Sequence, residues 1–269
     1  MISARLREFA AALFASVLLI SCQSSDSATN DTNAAGNAAT NRQAESTSAQ
    51  KPDDEGFIPS GTGIEKEAPA AGTGNVQGKV LFNEKPAANI EVKLCQKFSQ
   101  FVGGCSGETF TAKTDEQGEY LIKGVPPGVY EALTAKVFNT NYYVFATSGF
   151  VSSAKYRVED GKTYFAPDTN LFKSDIKVVS PKSGSKVKPD GVEISWDAYP
   201  DSAYYKISLH GDATAADYDH INKRVDGTTY AVSKPLAAGE YRITLEAFNS
   251  NDVKLAEAPN DIKFTVAGN

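Results

Sequence analysis

Apolar and polar residues follow different patterns in two parts of this 269-residue chain. From about residue 75 to the end, short runs alternate apolar with polar residues at a period of two, and turn residues separate them, which is typical of strands buried on one face. Residues 23–74 contain only three large apolar residues, Phe57, Ile58 and Ile64. The pattern predicts an all-β protein, built as two tandem antiparallel Greek-key β-sandwiches after a disordered N-terminal tether.

The first predicted sandwich spans residues 75–173. Gly78, Val80 and Phe82 alternate with Lys79 and Leu81, and Ile90, Val92 and Leu94 alternate with Glu91 and Lys93. Residues 114–118 and 126–128 are rich in Asp, Pro and Gly and predict tight turns between strands. The segments 78–80, 86–92, 114–120 and 127–130 together resemble the carboxypeptidase regulatory-like domain, a transthyretin-like sandwich. That resemblance implies an accessory module with no catalytic residues.

The second predicted sandwich spans residues 174–269. Its alternating runs include residues 192–196, 204–209, 241–247 and 262–266. The segment 236–241, which ends in Tyr241, resembles the corner before a strand of fibronectin type III domains, where a tyrosine hydroxyl bonds back to the main chain. With Ile194, Ser195 and Trp196 upstream, the whole span resembles that family.

Near the start, Arg5 and Arg7 precede a short apolar run over residues 9–20, which is too short to span a bilayer. The run ends in Leu19-Ile20-Ser21-Cys22, which resembles the lipobox of bacterial lipoproteins. The resemblance implies that residues 1–21 are a signal peptide, and that Cys22 carries a diacylglyceryl group and an N-terminal acyl chain such as palmitate. The alternative is an ordinary secretory signal with a chance cysteine.

This resemblance also implies a location in the bacterial cell envelope. Gln23 rather than Asp follows the cysteine, which by analogy with enterobacterial sorting points to the outer membrane. Residues 22–74 form the predicted tether, which is rich in Ala, Ser, Thr, Asn, Gln and Gly. As a flexible coil such a segment has a root-mean-square span of roughly 40 Å.

The charge balance excludes one class of partner. The formal net charge is -6, and removal of the signal peptide takes away two arginines and one glutamate, a net of +1, which leaves -7. The mature chain has no basic run. Nucleic acid is therefore not an expected partner.

The cysteines beyond the lipobox form an even pair. Cys95 and Cys105 lie in a predicted exported domain, where disulfides persist, and bracket an insertion over residues 96–104. A disulfide is the preferred interpretation. The alternative, a shared zinc ion, lacks further cysteines and has both histidines far along the chain.

Neither a metal site nor a catalytic site follows from the other residues. Asp212, Asp217, Asp219 and His220 match no zinc or calcium loop in spacing, and are interpreted as a solvated acidic loop. No serine lies in a nucleophile elbow, and no cysteine remains for thiolate chemistry. A glycosidase with two distant carboxylates is left open by sequence, but the prediction is a non-enzyme without cofactors.

Two non-enzymatic functions remain. The first is a membrane-anchored surface module that binds a ligand, with carbohydrate as the preferred class; the second is a structural lipoprotein of an envelope or secretion complex that works through protein contacts. The predicted contact residues are aromatic, because aromatic rings stack on sugars and anchor interfaces. Phe98 and Phe101 lie in the stapled insertion, and the alternative is that they cap the sandwich. Tyr142 and Tyr143 belong to a later aromatic group that could form a sugar-stacking platform, although a core role is the preferred interpretation for most of its members.

Overall fold

The computed structural model describes residues 53, 55–101, 104–148, 152–211, 221–259 and 262–268. Every regular element within these ranges is a strand. Within the same ranges there is no helix of the length and apolarity that a membrane crossing requires. The predicted signal peptide, Cys22 and the tether as far as residue 52 lie outside the described residues.

The first sandwich contains thirteen of the described strands. They are β1 Gly74–Phe82, β2 Lys85–Pro86, β3 Glu91–Ser99, β4 Gly104–Lys113, β5 Glu119–Val125, β6 Gly128–Tyr130, β7 Ala132–Lys136, β8 Tyr143–Phe145, β9 Thr147–Ser148, β10 Ser152–Ser153, β11 Tyr156–Val158, β12 Thr163–Phe165 and β13 Thr169–Leu171.

Two main sheets face each other in this sandwich. In one, β1 lies centrally and pairs antiparallel with β5 and parallel with β12 and β13. The other has the order β4-β3-β7-β8, with every pair antiparallel. Alternate apolar residues of both sheets fill the space between them, among them Val76, Val80, Leu94, Ile122 and Leu171.

Tyr120 crosses this core through a gap that a glycine leaves. It lies directly opposite Gly78 in the pairing of β1 with β5, and a Cβ atom on Gly78 would come within 2.5 Å of the Tyr120 hydroxyl. The ring is fully buried, and its hydroxyl has no hydrogen-bond partner among the described residues. The absence of a side chain at Gly78 therefore allows the Tyr120 hydroxyl to approach the main chain closely, and the residue does not form a turn.

The second sandwich contains ten described strands. They are β14 Lys173–Ser174, β15 Val178–Ser180, β16 Lys186–Val187, β17 Glu193–Trp196, β18 Tyr204–Gly211, β19 Ile221–Val225, β20 Thr229–Ala231, β21 Gly239–Phe248, β22 Lys254–Glu257 and β23 Ile262–Val266.

A three-stranded sheet, β15-β17-β20, packs on a larger sheet in which β19, β18 and β21 are neighbours and β22 and β23 both pair with β21. The residues predicted to alternate do so. Ile194, Ile207, Leu209, Leu245 and Phe264 point into one core. The prediction of an all-β fold with two tandem sandwiches is therefore confirmed.

Each sandwich has a tyrosine that bonds back to the main chain four residues earlier. The Tyr241 hydroxyl donates to the carbonyl of Ala237 at 3.0 Å, as the sequence predicted. The Tyr130 hydroxyl donates to the carbonyl of Pro126 at 2.8 Å, which the sequence analysis did not anticipate. These bonds fix the corner by which the chain enters the next strand.

The structure differs from the sequence-based expectation at residues 55–73, here called the strap. The strap was assigned to a disordered tether ending at residue 74, yet it packs against the first sandwich. Ile58 is buried, and its carbonyl accepts a hydrogen bond from the Tyr164 hydroxyl at 2.8 Å. Lys66 forms ion pairs with Asp115 at 2.8 Å and Glu119 at 2.7 Å. One buried side chain and several polar contacts hold the strap. Its sequence therefore has no apolar periodicity from which this packing could be predicted.

Candidate functional site

The segment stapled by the cysteines is a β-hairpin rather than the long loop that the sequence predicted. Strand β3 pairs with β4 from Glu91, opposite Lys113, as far as Ser99, opposite Gly104. Residues 96–99 are mostly polar, so they lack the alternation of a core strand, but their main chains still pair. The binding candidates Phe98 and Phe101 therefore belong to the end of a sheet.

The disulfide between Cys95 and Cys105 is present, with the two Cα atoms 5.4 Å apart. It spans an irregularity in the pairing between Cys95 and Lys97, where Gly107 has a positive φ of 72° that favours glycine. The bulge shifts the register by one residue, and the covalent bond ties the strands together at that point. The tip beyond the bond is thus held by paired strands and a staple.

Phe98 packs against the body of the sandwich. Its ring centroid lies 4.7 Å from that of Phe145, and the two rings are tilted by 59°. Its main-chain N–H donates to Glu131, which also pairs with Lys97 at 2.8 Å. Phe98 therefore acts largely as a cap on the sheet, which is the alternative that the sequence left open.

The electrostatics at this hairpin are centred on one carboxylate. The pKa of Glu131 is lowered, first by the hydrogen bond from Lys97, then by the N–H of Phe98 and by the positive charge of Lys155. The lowered pKa keeps Glu131 ionised at neutral pH. Its role is to hold the base of the hairpin rather than to transfer protons.

Phe101 lies at the hairpin tip and is 61% exposed, more than any other large aromatic side chain among the described residues. Its N–H donates to the Ser99 hydroxyl at 3.3 Å, which closes part of the turn. A large ring is therefore presented to solvent just beyond Ser99, the last paired residue of β3.

Tyr142 and Tyr143 lie outside the hairpin, immediately before β8 and at its start, respectively. Tyr142 is 44% exposed in the turn between β7 and β8. Tyr143 is half-buried, and its hydroxyl lies 3.4 Å from both Glu91 and Lys93, the first and third residues of β3. Lys93 also lies 5.2 Å from the Tyr143 ring centroid.

The four aromatic candidates therefore do not form one platform. Tyr143 contacts the start of β3, whereas Phe101 follows its end, and a nine-residue strand spans about 30 Å. Tyr142 and Tyr143 lie near the start of β3 and Phe101 follows its end, while Phe98 lies between them with its ring against Phe145 of β8.

The N-terminal strap enters the sandwich at the hairpin end. The N–H of Lys155 donates to the carbonyl of Gly56 at 2.8 Å, and the Phe57 ring centroid lies 4.8 Å from the guanidinium of Arg157. Lys155 in turn faces Glu131 at the base of the hairpin. The described chain thus begins beside the element that carries Phe101.

The second sandwich lies at the opposite end, and a single residue separates the two sheets. Strand β13 ends at Leu171 beside β1, and β14 begins at Lys173 beside β22, so Phe172 alone lies between them. Phe172 is buried, and the ammonium of Lys254 lies 4.2 Å from its ring centroid. Lys254 is itself only 2% exposed and pairs with Glu246 at 2.7 Å and Glu257 at 2.6 Å.

Polar side chains close the rest of this junction. The turn after β1 presents Asn83 and Glu84 to two loops of the second sandwich, residues 197–203 and 249–253. Asn83 donates to Asp201 at 3.0 Å, while the Asn249 amide donates to Asn83 and Glu84 at 2.9 Å each. These two loops are therefore engaged by the first sandwich. The sequence did not predict this junction, since turn residues give no signal of their distant partners.

No group of three or more His, Cys, Asp or Glu side chains is placed to hold a metal ion in the described ranges. The segment with Asp212, Asp217, Asp219 and His220 lies outside them. Cys22 does so as well.

No family model and no curated protein matches the chain. Among solved structures it is similar to fibronectin(III)-like modules of Clostridium thermocellum CbhA, at 18% identity over 34% of this chain and 94% of that chain, with a TM-score of 0.27. It is also similar to a two fibronectin type-III domain segment from chicken tenascin, at 13% identity over 75% and 97%, with a TM-score of 0.25. BcpA, the major pilin subunit of Bacillus cereus, matches at 13% identity over 72% and 69%, with a TM-score of 0.28.

Likenesses at 13–18% identity concern the fold alone. Because the TM-scores are only 0.25–0.28, the fold is assigned from the strands of the chain itself. The three-stranded sheet, the larger facing sheet and the Tyr241 corner make the second domain a two-sheet β-sandwich with the tyrosine corner that the sequence predicted.

Proposed function

We propose that the chain is a lipid-anchored, non-catalytic protein of the bacterial cell envelope that works by binding through the hairpin of its first sandwich. Cys22 carries the lipid, and the first sandwich is a carboxypeptidase regulatory-like accessory module. The observation that supports binding is Phe101, an exposed aromatic ring at the end of a hairpin whose strands are paired as far as Ser99 and joined by a disulfide. A rigid contact loses little entropy when it binds.

Carbohydrate was the ligand class that the sequence favoured, and Phe101 alone supports it as a stacking ring. Tyr142, the other exposed aromatic among the candidates, lies at the far end of the same sandwich. A sugar held by both rings would have to span about 30 Å. The proposal for carbohydrate therefore involves a contact with the hairpin tip, not with a broad aromatic surface.

A second candidate function is supported by the junction. Two sandwiches joined through one buried residue and a network of side-chain hydrogen bonds suit a structural lipoprotein that holds envelope proteins at a fixed separation. In that case the partners are proteins, and the far end of the second sandwich contributes contacts.

The anchor is tested by the distribution of the full chain between membrane and soluble fractions. Cys22→Ser should release the protein or trap the uncleaved precursor. A normally processed Cys22→Ser chain that stays in the membrane would overturn the anchor.

The hairpin is tested by comparing wild type with Phe101→Ala and with Tyr142→Ala as a matched control. Binding is measured to envelope glycans, lipid vesicles and solubilised envelope proteins. We expect Phe101→Ala to lose binding to one of these classes while Tyr142→Ala keeps it. Equal binding by both variants would favour the structural alternative.

A further inference from the structure

We propose that the hairpin end of the first sandwich lies on the surface of the membrane that anchors the chain, with the Phe101 ring in the lipid headgroup layer. The inference rests on the proposed anchor at Cys22 and names the partner of the proposed binding hairpin. Lipid is favoured over glycan and protein by where the chain enters the sandwich.

The entry point is fixed by the strap. Gly56 and Phe57 contact Lys155 and Arg157. Strand β11 pairs with β6, with Tyr156 opposite Tyr130, which places Lys155 beside Glu131, and the Glu131 carboxylate accepts the N–H of Phe98. The segment that leads back to Cys22 therefore starts beside the base of the hairpin. The second sandwich contacts the opposite end, so it does not compete with a membrane for this surface.

The length of the preceding chain keeps this end close to the lipid. Residues 23–52 number 30, and the tether that the sequence predicts there has a root-mean-square span of roughly 30 Å. That is about the length of one sandwich strand. The anchor therefore holds the hairpin end at a high effective concentration at the membrane surface.

The exposed side chains at this end suit the boundary between headgroups and acyl chains. Phe101 is 61% exposed, and Val129, in the strand that leads to Glu131, is 45% exposed. Aromatic rings favour this boundary, and the affinity of such contacts scales with buried apolar area. Two apolar side chains are too few to hold a free protein on a membrane, but they suffice to orient a chain that lipid already holds.

The charges at the same end are mixed. Lys97, Lys155 and Arg157 are cationic, whereas Asp53, Glu55 and Glu131 are anionic. With Glu108 of β4 in the same hairpin included, three cations face four anions and the formal sum is -1, which predicts a contact that anionic lipid does not strengthen. Vesicles of phosphatidylcholine are therefore the appropriate probe.

The experiment uses the full lipidated chain reconstituted in phosphatidylcholine vesicles, with Phe101→Trp as the reporter and Tyr142→Trp as the matched control at the opposite end. Trp196 is buried and gives a constant background, which the wild type measures. We expect Phe101→Trp to show a shift of emission to shorter wavelength, quenching by lipids brominated in their acyl chains, and protection from acrylamide. Tyr142→Trp should show none of these effects.

Flotation of the vesicles tests the lipid anchor separately from the contact of Phe101 with the membrane. A chain that does not float has no anchor, and both the anchor and the membrane contact then fail. A chain that floats, but in which Phe101→Trp stays open to acrylamide and unquenched by brominated lipid, keeps the anchor and overturns the membrane contact. The contact is also overturned if envelope glycan alone produces the emission shift in the soluble Cys22→Ser form of this reporter.

Discussion

The ammonium of Lys254, on the second sandwich, lies 4.2 Å from the ring centroid of Phe172, the one residue between the two sandwiches. The same ammonium is enclosed by Glu246 and Glu257, so a single buried cation connects the junction to the sheet behind it.

Removal of that cation should strongly destabilise the protein. Lys254→Met takes the buried ammonium away from two partly buried carboxylates, which should lower the free energy of unfolding by about 3–5 kcal/mol. Urea denaturation measures the change. Lys263→Met is the control, because the pair of Lys263 with Glu240 is half exposed and should contribute about 0–1 kcal/mol. Similar losses in the two variants would contradict a special role for Lys254.

Two tyrosines should respond in opposite ways to loss of their hydroxyl groups. Tyr241→Phe removes a hydrogen bond to a main-chain carbonyl and should cost about 1–2 kcal/mol. Tyr120→Phe removes a buried hydroxyl that has no partner among the described residues, so it should be neutral or stabilising. Both changes are measured by urea denaturation, and a marked loss of stability in Tyr120→Phe would show that its hydroxyl is in fact bonded.

The disulfide should stabilise the first sandwich. Replacement of Cys95 and Cys105 together by serine opens an 11-residue loop, which on the chain-entropy model costs roughly 2.8 kcal/mol. Mass spectrometry of the non-reduced protein establishes the bond, and thermal unfolding with and without reductant measures its effect. Reductant should change the melting temperature of wild type but not of the double variant.

Substitution of Phe98 and of Phe101 by alanine should have different effects on the stability of the protein. Phe98→Ala removes a half-buried ring from Phe145 and should cost about 1–3 kcal/mol. Phe101→Ala removes an exposed ring and should change stability by less than about 0.5 kcal/mol. Thermal unfolding of the two variants measures both changes in stability. A large loss in Phe101→Ala would mean that the tip, too, is a cap.

The ion pair that holds the strap predicts a pH dependence. The pKa of Asp115 is lowered, chiefly by the hydrogen bond from Lys66, and the pKa of Lys66 is raised, chiefly by the same bond. The carboxylate contribution is therefore present above its unfolded pKa of about 4 and is lost as pH falls through the lower folded value. The ammonium contribution is present below about pH 10.4 and is lost as pH rises through the higher folded value.

Both side chains are partly exposed, so the pair should contribute about 1 kcal/mol or less at neutral pH. The difference in stability between wild type and Lys66→Met should shrink towards zero below pH 3, as measured by urea denaturation at several pH values. A difference that is constant from pH 7 to pH 2 would show that Lys66 acts by packing alone.

Strands with one buried face were predictable, because each alternating run defines its own inner side. Ile207 and Leu209 lie in the core for this reason, and Tyr241 was recognisable because its corner has a local sequence signature. The Tyr130 corner was missed, although Tyr130 likewise follows a glycine-containing turn by a short interval.

The strap and the hairpin were harder to predict. Ile58 is a single buried residue in a polar segment, so no periodicity marks it. Residues 96–99 pair through main-chain atoms, to which side-chain composition gives little guide. The junction depends on contacts between Asn83 or Glu84 and residues more than one hundred positions away. Such pairings depend on the tertiary structure, and the pattern of a single sequence does not predict them.

The direct passage from β13 through Phe172 to β14 leaves no spare chain between the two sandwiches. Movement of the second sandwich towards the hairpin end would have to break the contacts of Phe172 and Asn83 at the junction. The nine residues of β1 span about 30 Å and the ten of β21 about 33 Å. Placed end to end, these two strand lengths come to roughly 60 Å, which is the upper limit that they set on the distance from the hairpin tip to the far end of the second sandwich.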